Sequence, residues 1–170
     1  VENRKKLIEL TSDDVETIIR DNYDDIFKYC FWRIREYADA EDMTQETFMK
    51  FIEYIPKYHE YGKPKALLYT IARNLCANWR KNKAMHLTPI TDEIIAKESV
   101  DETDDLLNSL DLHNQINKLP AEQQEVLFLR YFEDLQIGEI AKILGISRFS
   151  VMYRMRIATN NLKTKMGEQP

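Results

Sequence analysis

Only two cysteines and three histidines occur in the 170 residues of this chain, and neither set is clustered. Cys30 and Cys76 lie in apolar helical patterns with no second cysteine close in sequence, which predicts buried free thiols rather than a disulfide framework or a metal site. His59, His86 and His113 match no Glu-x-x-His or Cys-x-x-Cys spacing, so neither a metal nor a cofactor is expected. No apolar run approaches membrane-spanning length, and the opening VENRKKLIEL lacks the basic, apolar, small-residue order of a secretory signal, which leads to the expectation of a cytoplasmic protein. Nothing alternates at period two for long enough to be a strand, and no internal repeat is visible. A convergent set of acid, base and nucleophile is also missing, so no catalytic residue and no small-molecule substrate is expected.

What the chain does have is helical periodicity. Ser12 and Asp13 can cap a helix carrying Val15, Ile18 and Ile19, and Phe27, Cys30, Phe31 and Ile34 follow at i, i+3, i+4 and i+7. This pattern stops near Tyr37 to Asp39, where Asp39 can cap a second helix with Glu41 and Asp42 complementing its positive start. Phe48, Phe51, Ile52 and Ile55 repeat the stripe, which Pro56 ends. The loop KYHEYGKPK holds Gly62 and Pro64, both unfavourable to helix. A third helix carries Leu68, Ile71, Ala72, Leu75 and Trp79. Periodicity returns at Ile116 and Leu119, Pro120 suits a helix N1 position, and EVLFLRYF is dense enough to be buried on more than one side.

The net charge of −5 is unevenly spread. Residues 1–85 hold fifteen cations against fifteen acids, 86–115 one against eight, and 116–170 eight against six. The middle stretch also contains Pro89 and no aromatic residue, and reads as a linker with a short helix near Leu106 to Leu112. The predicted fold is therefore all-α: two small helical domains, 1–85 and 115–170, joined by an acidic linker at 86–114. A +2 segment offers few phosphate contacts, so the protein alone should bind DNA weakly.

Leu135 to Leu162 has the pattern of a helix-turn-helix, whose second helix enters a DNA major groove. Ile140, Ala141 and Leu144 mark the first helix, Gly145 opens the turn and Ser147 is a good N-cap for the second. Val151, Met155, Ala158 and Leu162 recur at i, i+4, i+7 and i+11 as one buried face. The opposite face carries Phe149, Tyr153, Arg156 and Asn160, with Arg148 and Arg154 to either side. Aromatic side chains can touch thymine methyls or base edges, and arginines can reach guanine or phosphate.

Two further constellations stand in the first domain. Asp39, Glu41, Asp42 and Glu46 point in different directions on one helix, which suits a charged protein-docking face rather than a catalytic cluster. Tyr54, Tyr58, His59, Tyr61 and Tyr69 interleave with Lys57, Lys63 and Lys65, and the next helix carries Arg73, Asn74, Trp79, Arg80 and Lys81. Flat rings stack unpaired bases while cations follow a backbone, so single-stranded DNA is a natural ligand.

Together these stretches resemble a bacterial sigma factor of the extracytoplasmic function group, the small two-domain class of the sigma-70 family. The resemblance spans about residues 20–85 and 113–165 and rests on DAEDMTQETF at Asp39 to Phe48, LLYTIARNLCANWRKNK, and LPAEQQEVLFLRYFEDLQIGEIAKILGIS. It implies docking on the beta-prime and beta subunits of core RNA polymerase, with Asp39, Glu41, Asp42, Gln45 and Glu46 meeting the beta-prime clamp helices. It also implies opening of the minus-ten promoter element by Tyr58, His59, Tyr61, Lys63, Lys65, Arg73, Asn74, Arg80 and Lys81. Reading of the minus-thirty-five element would fall to Arg148, Phe149, Ser150, Tyr153, Arg154, Arg156 and Asn160. The linker would thread near the polymerase RNA path, and an anti-sigma factor is a plausible further partner.

The chain departs from the family pattern at Leu67 and Thr70, where an aromatic and a cation are usual, and at Met152, Ile157 and Thr159, where three cations are usual. A stand-alone helix-turn-helix regulator is one alternative, opposed by the low net charge and the lack of a coiled-coil heptad. An interaction protein that occupies polymerase or an inhibitor without opening promoters is the other.

Overall fold

The computed structural model describes residues 10–55, 64–86 and 114–165. The chain divides into two units, Val1–Thr88 and Pro89–Pro170, and the regular structure of the described residues is helical throughout, with no strand among them. Tyr58, His59, Tyr61 and Lys63 lie outside the described residues, as does the expected linker between its end residues His86 and Asn114.

Helix α1 spans Ser12–Ile34. Its cap is Thr11 rather than Ser12 or Asp13, and Thr11 and Asp14 form the reciprocal pair of a capping box. The Asp14 amide donates to Thr11 Oγ1 at 3.2 Å, and the Thr11 amide donates to Asp14 Oδ2 at 2.9 Å. The Thr11 hydroxyl also donates to that carboxylate, at 2.7 Å, and holds the Asp14 carboxyl below its ordinary pKa. Val15, Ile18 and Ile19 thus belong to the same unbroken helix as Ile26, Tyr29, Cys30 and Ile34, the four that it buries.

The helix ends with its apolar stripe at Ile34, three residues before the expected stop near Tyr37. Arg35 turns into the left-handed region at φ 63°, and its N–H closes on the Phe31 carbonyl at 2.8 Å. Side chains other than glycine seldom adopt that conformation, so nothing in the sequence marks the break. Helix α2, Tyr37–Tyr54, then starts at Tyr37 with Glu36 in the N-cap position, ahead of the expected Asp39 cap.

Helix α3 spans Pro64–His86 and so includes Pro64, which its pattern would place in the preceding loop. A proline costs nothing at a first helical position, where its missing N–H would have no helical partner.

These three helices pack on one another. Ile26, Tyr29 and Cys30 of α1 meet Ala40, Thr44, Thr47 and Phe51 of α2 and Leu68, Tyr69, Ala72 and Cys76 of α3, all fully buried. Each set recurs at three- and four-residue steps, and burying a side chain of Phe or Leu size stabilises by about 1.5–3 kcal/mol. Thr44 and Thr47 enter this core because their hydroxyls donate to the Ala40 and Met43 carbonyls at 2.7 and 2.6 Å.

The cysteines are buried free thiols, as their apolar setting predicts. The bundle nevertheless brings them together: Cys76 is hydrogen-bonded to Cys30, and that bond with burial pushes the Cys76 thiol up.

The described part of the second unit starts with a helical turn at 114–117. Pro120 is the N-cap, not N1, of helix α4, Ala121–Leu127, which runs on as a π-helical turn over Phe128–Phe132. Helix α5 spans Ile137–Leu144 and α6 spans Arg148–Lys165. The π turn corrects the expectation for EVLFLRYF. Val126, Leu127 and Leu129 are buried, but the wider turn leaves Tyr131 and Phe132 about two-thirds exposed, with Phe132 stacked on Phe128 at 5.4 Å.

Replacing Phe51 with Ala should destabilise the first unit by about 3–5 kcal/mol, the usual cost of removing a fully buried aromatic. Urea unfolding monitored by circular dichroism measures this, and a loss below about 1 kcal/mol would show that the site repacks or is not core.

Candidate nucleic-acid interface

The turn between α5 and α6 forms as the sequence dictates. Gly145 takes φ 65°, ending α5, and the Ile146 N–H reaches the Ala141 carbonyl at 3.1 Å. Ser147 then caps α6, accepting from the Ser150 amide at 3.1 Å, with the two hydroxyls 2.9 Å apart. Both α4 and α5 pack against α6. Val151 and Ala158 have no exposed surface, and Leu162 packs on the cluster of Leu119, Leu127 and Ala158. Met155, expected in the same buried row, is only partly covered.

With that row turned inward, Phe149 stands 84% exposed and Tyr153 58%, beside exposed Arg148, Arg156 and Asn160. The Arg156 guanidinium carbon lies 5.8 Å from the Tyr153 ring centroid, so the cation and the ring form one surface feature. Ser150 is partly covered and engaged with Ser147. Arg154 differs from the others: its Nη2 is 2.9 Å from Glu122 of α4, which ties the helix to its own domain. Asn161 adds a second tie, donating to Gln123 at 3.1 Å. Over its whole length α6 carries five cations and no acid.

Beside the start of α6 is a cleft of about 620 Å³. Arg130, Asp134, Gln136, Gly138, Arg148 and Met152 are among the residues that line it. Arg130 donates to the Leu135 carbonyl at 3.1 Å and stands 4.0 Å from Asp134. Two residues of this cleft that fall outside the expected set are Arg130, hidden in the apolar run EVLFLRYF, and Met152, which is exposed beside Tyr153.

In the first unit α3 also carries five cations and no acid. Asn74, Ala77, Asn78 and Lys81 are exposed together at i, i+3, i+4 and i+7, with Arg80 exposed and Arg73 partly covered alongside. Asn78, outside the expected set, shares this face through its four-residue step from Asn74. Tyr69 leaves the expected set of base-stacking rings, because it is fully buried edge-on against Tyr29 at 5.3 Å. Lys65 is drawn inward too, 3.1 Å from Asp25 and 6.0 Å from the Tyr69 ring centroid.

The acids gather on α2, which holds five against the single Lys50. Asp42 and Gln45 are exposed and Glu41 is partly covered. Glu46 pairs with Lys50 at 3.5 Å, while Asp39 lies 3.8 Å from Lys83 of α3. Lys83 also meets Glu36 at 2.8 Å and covers the Trp79 ring at 4.4 Å. Its hydrogen bond lowers the Glu36 pKa. Asp39 is thus part of the seam between α2 and α3 as well as of the acidic face. Among the described residues no group of histidines, cysteines and acids could hold a metal ion, and no helix is long and apolar enough to cross a membrane.

This geometry defines a helix-turn-helix protein with a second, three-helix unit. Residues 18–85 match the family model for sigma-70 region 2, and 109–158 match that for sigma-70 region 4. The chain is 31% identical over 166 residues to RNA polymerase sigma factor YlaC of Bacillus subtilis, covering 92% of this chain and 96% of that one. It is 33% identical over 132 residues to the extracytoplasmic function sigma factor BldN of Streptomyces coelicolor, covering 74% of this chain and 50% of the relative. Its fold is similar to the sigma factor RpoE of Bartonella quintana, solved with the anti-sigma factor NepR, at a TM-score of 0.73 and 20% identity over 93% of this chain and 99% of that one. It is similar also to CnrH, solved with the cytosolic domain of CnrY, at a TM-score of 0.67 and 15% identity over 94% and 92%. The chain belongs to the sigma-70 family, in its extracytoplasmic function group, and is a sigma factor for transcription initiation.

Replacing Lys83 with Ala should raise the Glu36 pKa towards its ordinary value, as read by NMR titration. The pair favours the folded state above the ordinary glutamate range, and that contribution is lost as pH falls through the lowered folded value. An unmoved Glu36 titration would show that the pair does not form in solution.

Proposed function

We propose that this sigma factor directs core RNA polymerase to promoters whose minus-thirty-five element is read by α6 and whose minus-ten element is opened by the first domain. The observation that carries this reading is that each unit presents one long helix with five cations and no acid, α3 and α6, held by an apolar row on its inner side. A helix of that kind can approach phosphates along its length, while its aromatic and amide side chains meet bases.

On this reading residues 1–85 form the docking and melting domain, 86–114 the acidic linker, and 115–170 the duplex-reading domain. The acids of α2, with Asp42 and Gln45 most open, meet a basic surface of the polymerase. Asn74, Asn78, Arg80 and Lys81, together with Tyr58, His59, Tyr61 and Lys63, hold the separated strand. Opening and flipping bases costs a few kcal/mol, and stacking worth about 1–3 kcal/mol per base offsets it. Phe149, Tyr153 and Arg156 face the duplex, while Arg148 reaches a phosphate. The balance of eight cations to six acids in residues 116–170 keeps the free protein from occupying promoters before polymerase is attached. An anti-sigma factor is a further proposed partner, since the structurally similar sigma factor RpoE was solved with such a protein.

Reconstitution with core polymerase on a genomic promoter library tests the reading, and specific start sites are the expected result. Binding to polymerase without any start site would favour a polymerase-occupying protein, and duplex binding without polymerase a stand-alone regulator. Arg156→Ala should cost about 1–3 kcal/mol of discrimination among minus-thirty-five sequences if the side chain reads a base. An equal loss on every sequence would assign it to phosphate. Asp42→Lys should weaken polymerase binding while leaving helicity unchanged, and undiminished binding would remove α2 from the docking surface.

A further inference from the structure

Gly138 is the second residue of α5, a position where a side chain would be tolerated by the helix itself. Its φ is not left-handed, and the turn at Gly145 is seven residues away, so backbone conformation does not call for glycine here. What does fill the space is Arg148. A Cβ added at Gly138 would lie 3.1 Å from Arg148 Nη2, 3.3 Å from Nε and 3.4 Å from Cζ. All three atoms lie within 3.4 Å of that position, so the guanidinium group as a whole, and not one outlying atom, occupies the space beside Gly138. Arg148 nevertheless remains exposed, on the wall of the cleft that also holds Arg130 and Asp134.

We propose that Gly138 is a positioning residue for Arg148: the missing side chain makes a bed on α5 in which the guanidinium lies, aimed along the cleft at a phosphate of the duplex that α6 reads. The inference rests on the promoter-reading function proposed above and assigns one part of it. A free arginine on a surface helix must surrender rotamer freedom when it grips a phosphate. Lying against α5 before DNA arrives, Arg148 has surrendered part of it already, so more of its charge-assisted hydrogen bonding appears as affinity. Arg130 makes the opposite choice: its bond to the Leu135 carbonyl and its approach to Asp134 hold it to the loop before α5. Arg148 is the cation of the cleft that the bed leaves facing outward.

The test is a double-mutant cycle in holoenzyme reconstituted with core polymerase, on a promoter fragment selected by the wild-type holoenzyme. The variants are Gly138→Ala, Gly138→Leu, Arg148→Ala and the combinations with Arg148→Ala. Arg148→Ala should weaken promoter binding by roughly three- to tenfold on every minus-thirty-five sequence alike and lower the salt slope by about one. Gly138→Leu, which fills the bed, should reproduce most of that loss, and Gly138→Ala a smaller part. In the Arg148→Ala background neither Gly138 substitution should add a further loss, because the residue that it positions is gone. Alanine is a better helix former than glycine, so Gly138→Ala should hold or raise the Tm while promoter binding falls, which a merely structural role would not produce.

Losses that multiply in the combined variants would overturn the positioning role, as would an Arg148→Ala holoenzyme with unchanged affinity and salt slope. A loss confined to one base of the minus-thirty-five element would overturn the phosphate assignment. A wild-type holoenzyme that starts at no promoter would overturn the initiation reading itself, and is distinguished from these outcomes by the absence of any selected fragment.

Discussion

Val151 and Ala158 have no exposed surface, and their seating against the neighbouring helices fixes the rotation of α6 about its own axis. A helix with five cations and no acid has no electrostatic reason to prefer one face inward. The apolar row supplies that reason: burying it turns Phe149, Tyr153, Arg156 and Asn160 outward together. The ties from Arg154 to Glu122 and from Asn161 to Gln123 then hold α6 to α4 at two points two turns apart. One of the arginines on the helix therefore serves its attachment, and the rest face water.

The first unit follows the same rule with a different division of charge. Its core rows leave α2 with an acidic surface and α3 with a basic one, two faces that suit partners of opposite character. Lys83 stands at their junction, pairing with Glu36 and Asp39 while covering Trp79. Exposed ion pairs of this kind contribute little stability each. Their larger effect is to commit particular side chains, so that Asp42 and Gln45 are more available to a partner than Asp39.

Much of this architecture was legible in the residues. The all-helical, two-part organisation, the glycine turn, the serine cap and the outward set on α6 all follow from spacing, because helical periodicity and capping are local and repeat at fixed steps. Three local expectations failed for local reasons. Thr11 outcompeted its neighbours as a cap through Asp14, Arg35 took a left-handed turn normally left to glycine, and Pro64 opened a helix instead of blocking it.

The sequence by itself determined which residues share a helix face and therefore which could be buried or presented. Only the tertiary structure decided which of several candidates on that face were taken up by other helices. Tyr69 reads like its fellow tyrosines but goes into the core against Tyr29, and Lys65 follows it towards Asp25. Cys30 and Cys76, far apart in the chain, become hydrogen-bonded neighbours, and Gly138 acquires its meaning from an arginine ten positions later. The physical reason is the same in each case: periodicity specifies direction from a helix axis, whereas a contact requires the position of a second axis, and that is fixed only when the apolar rows pack.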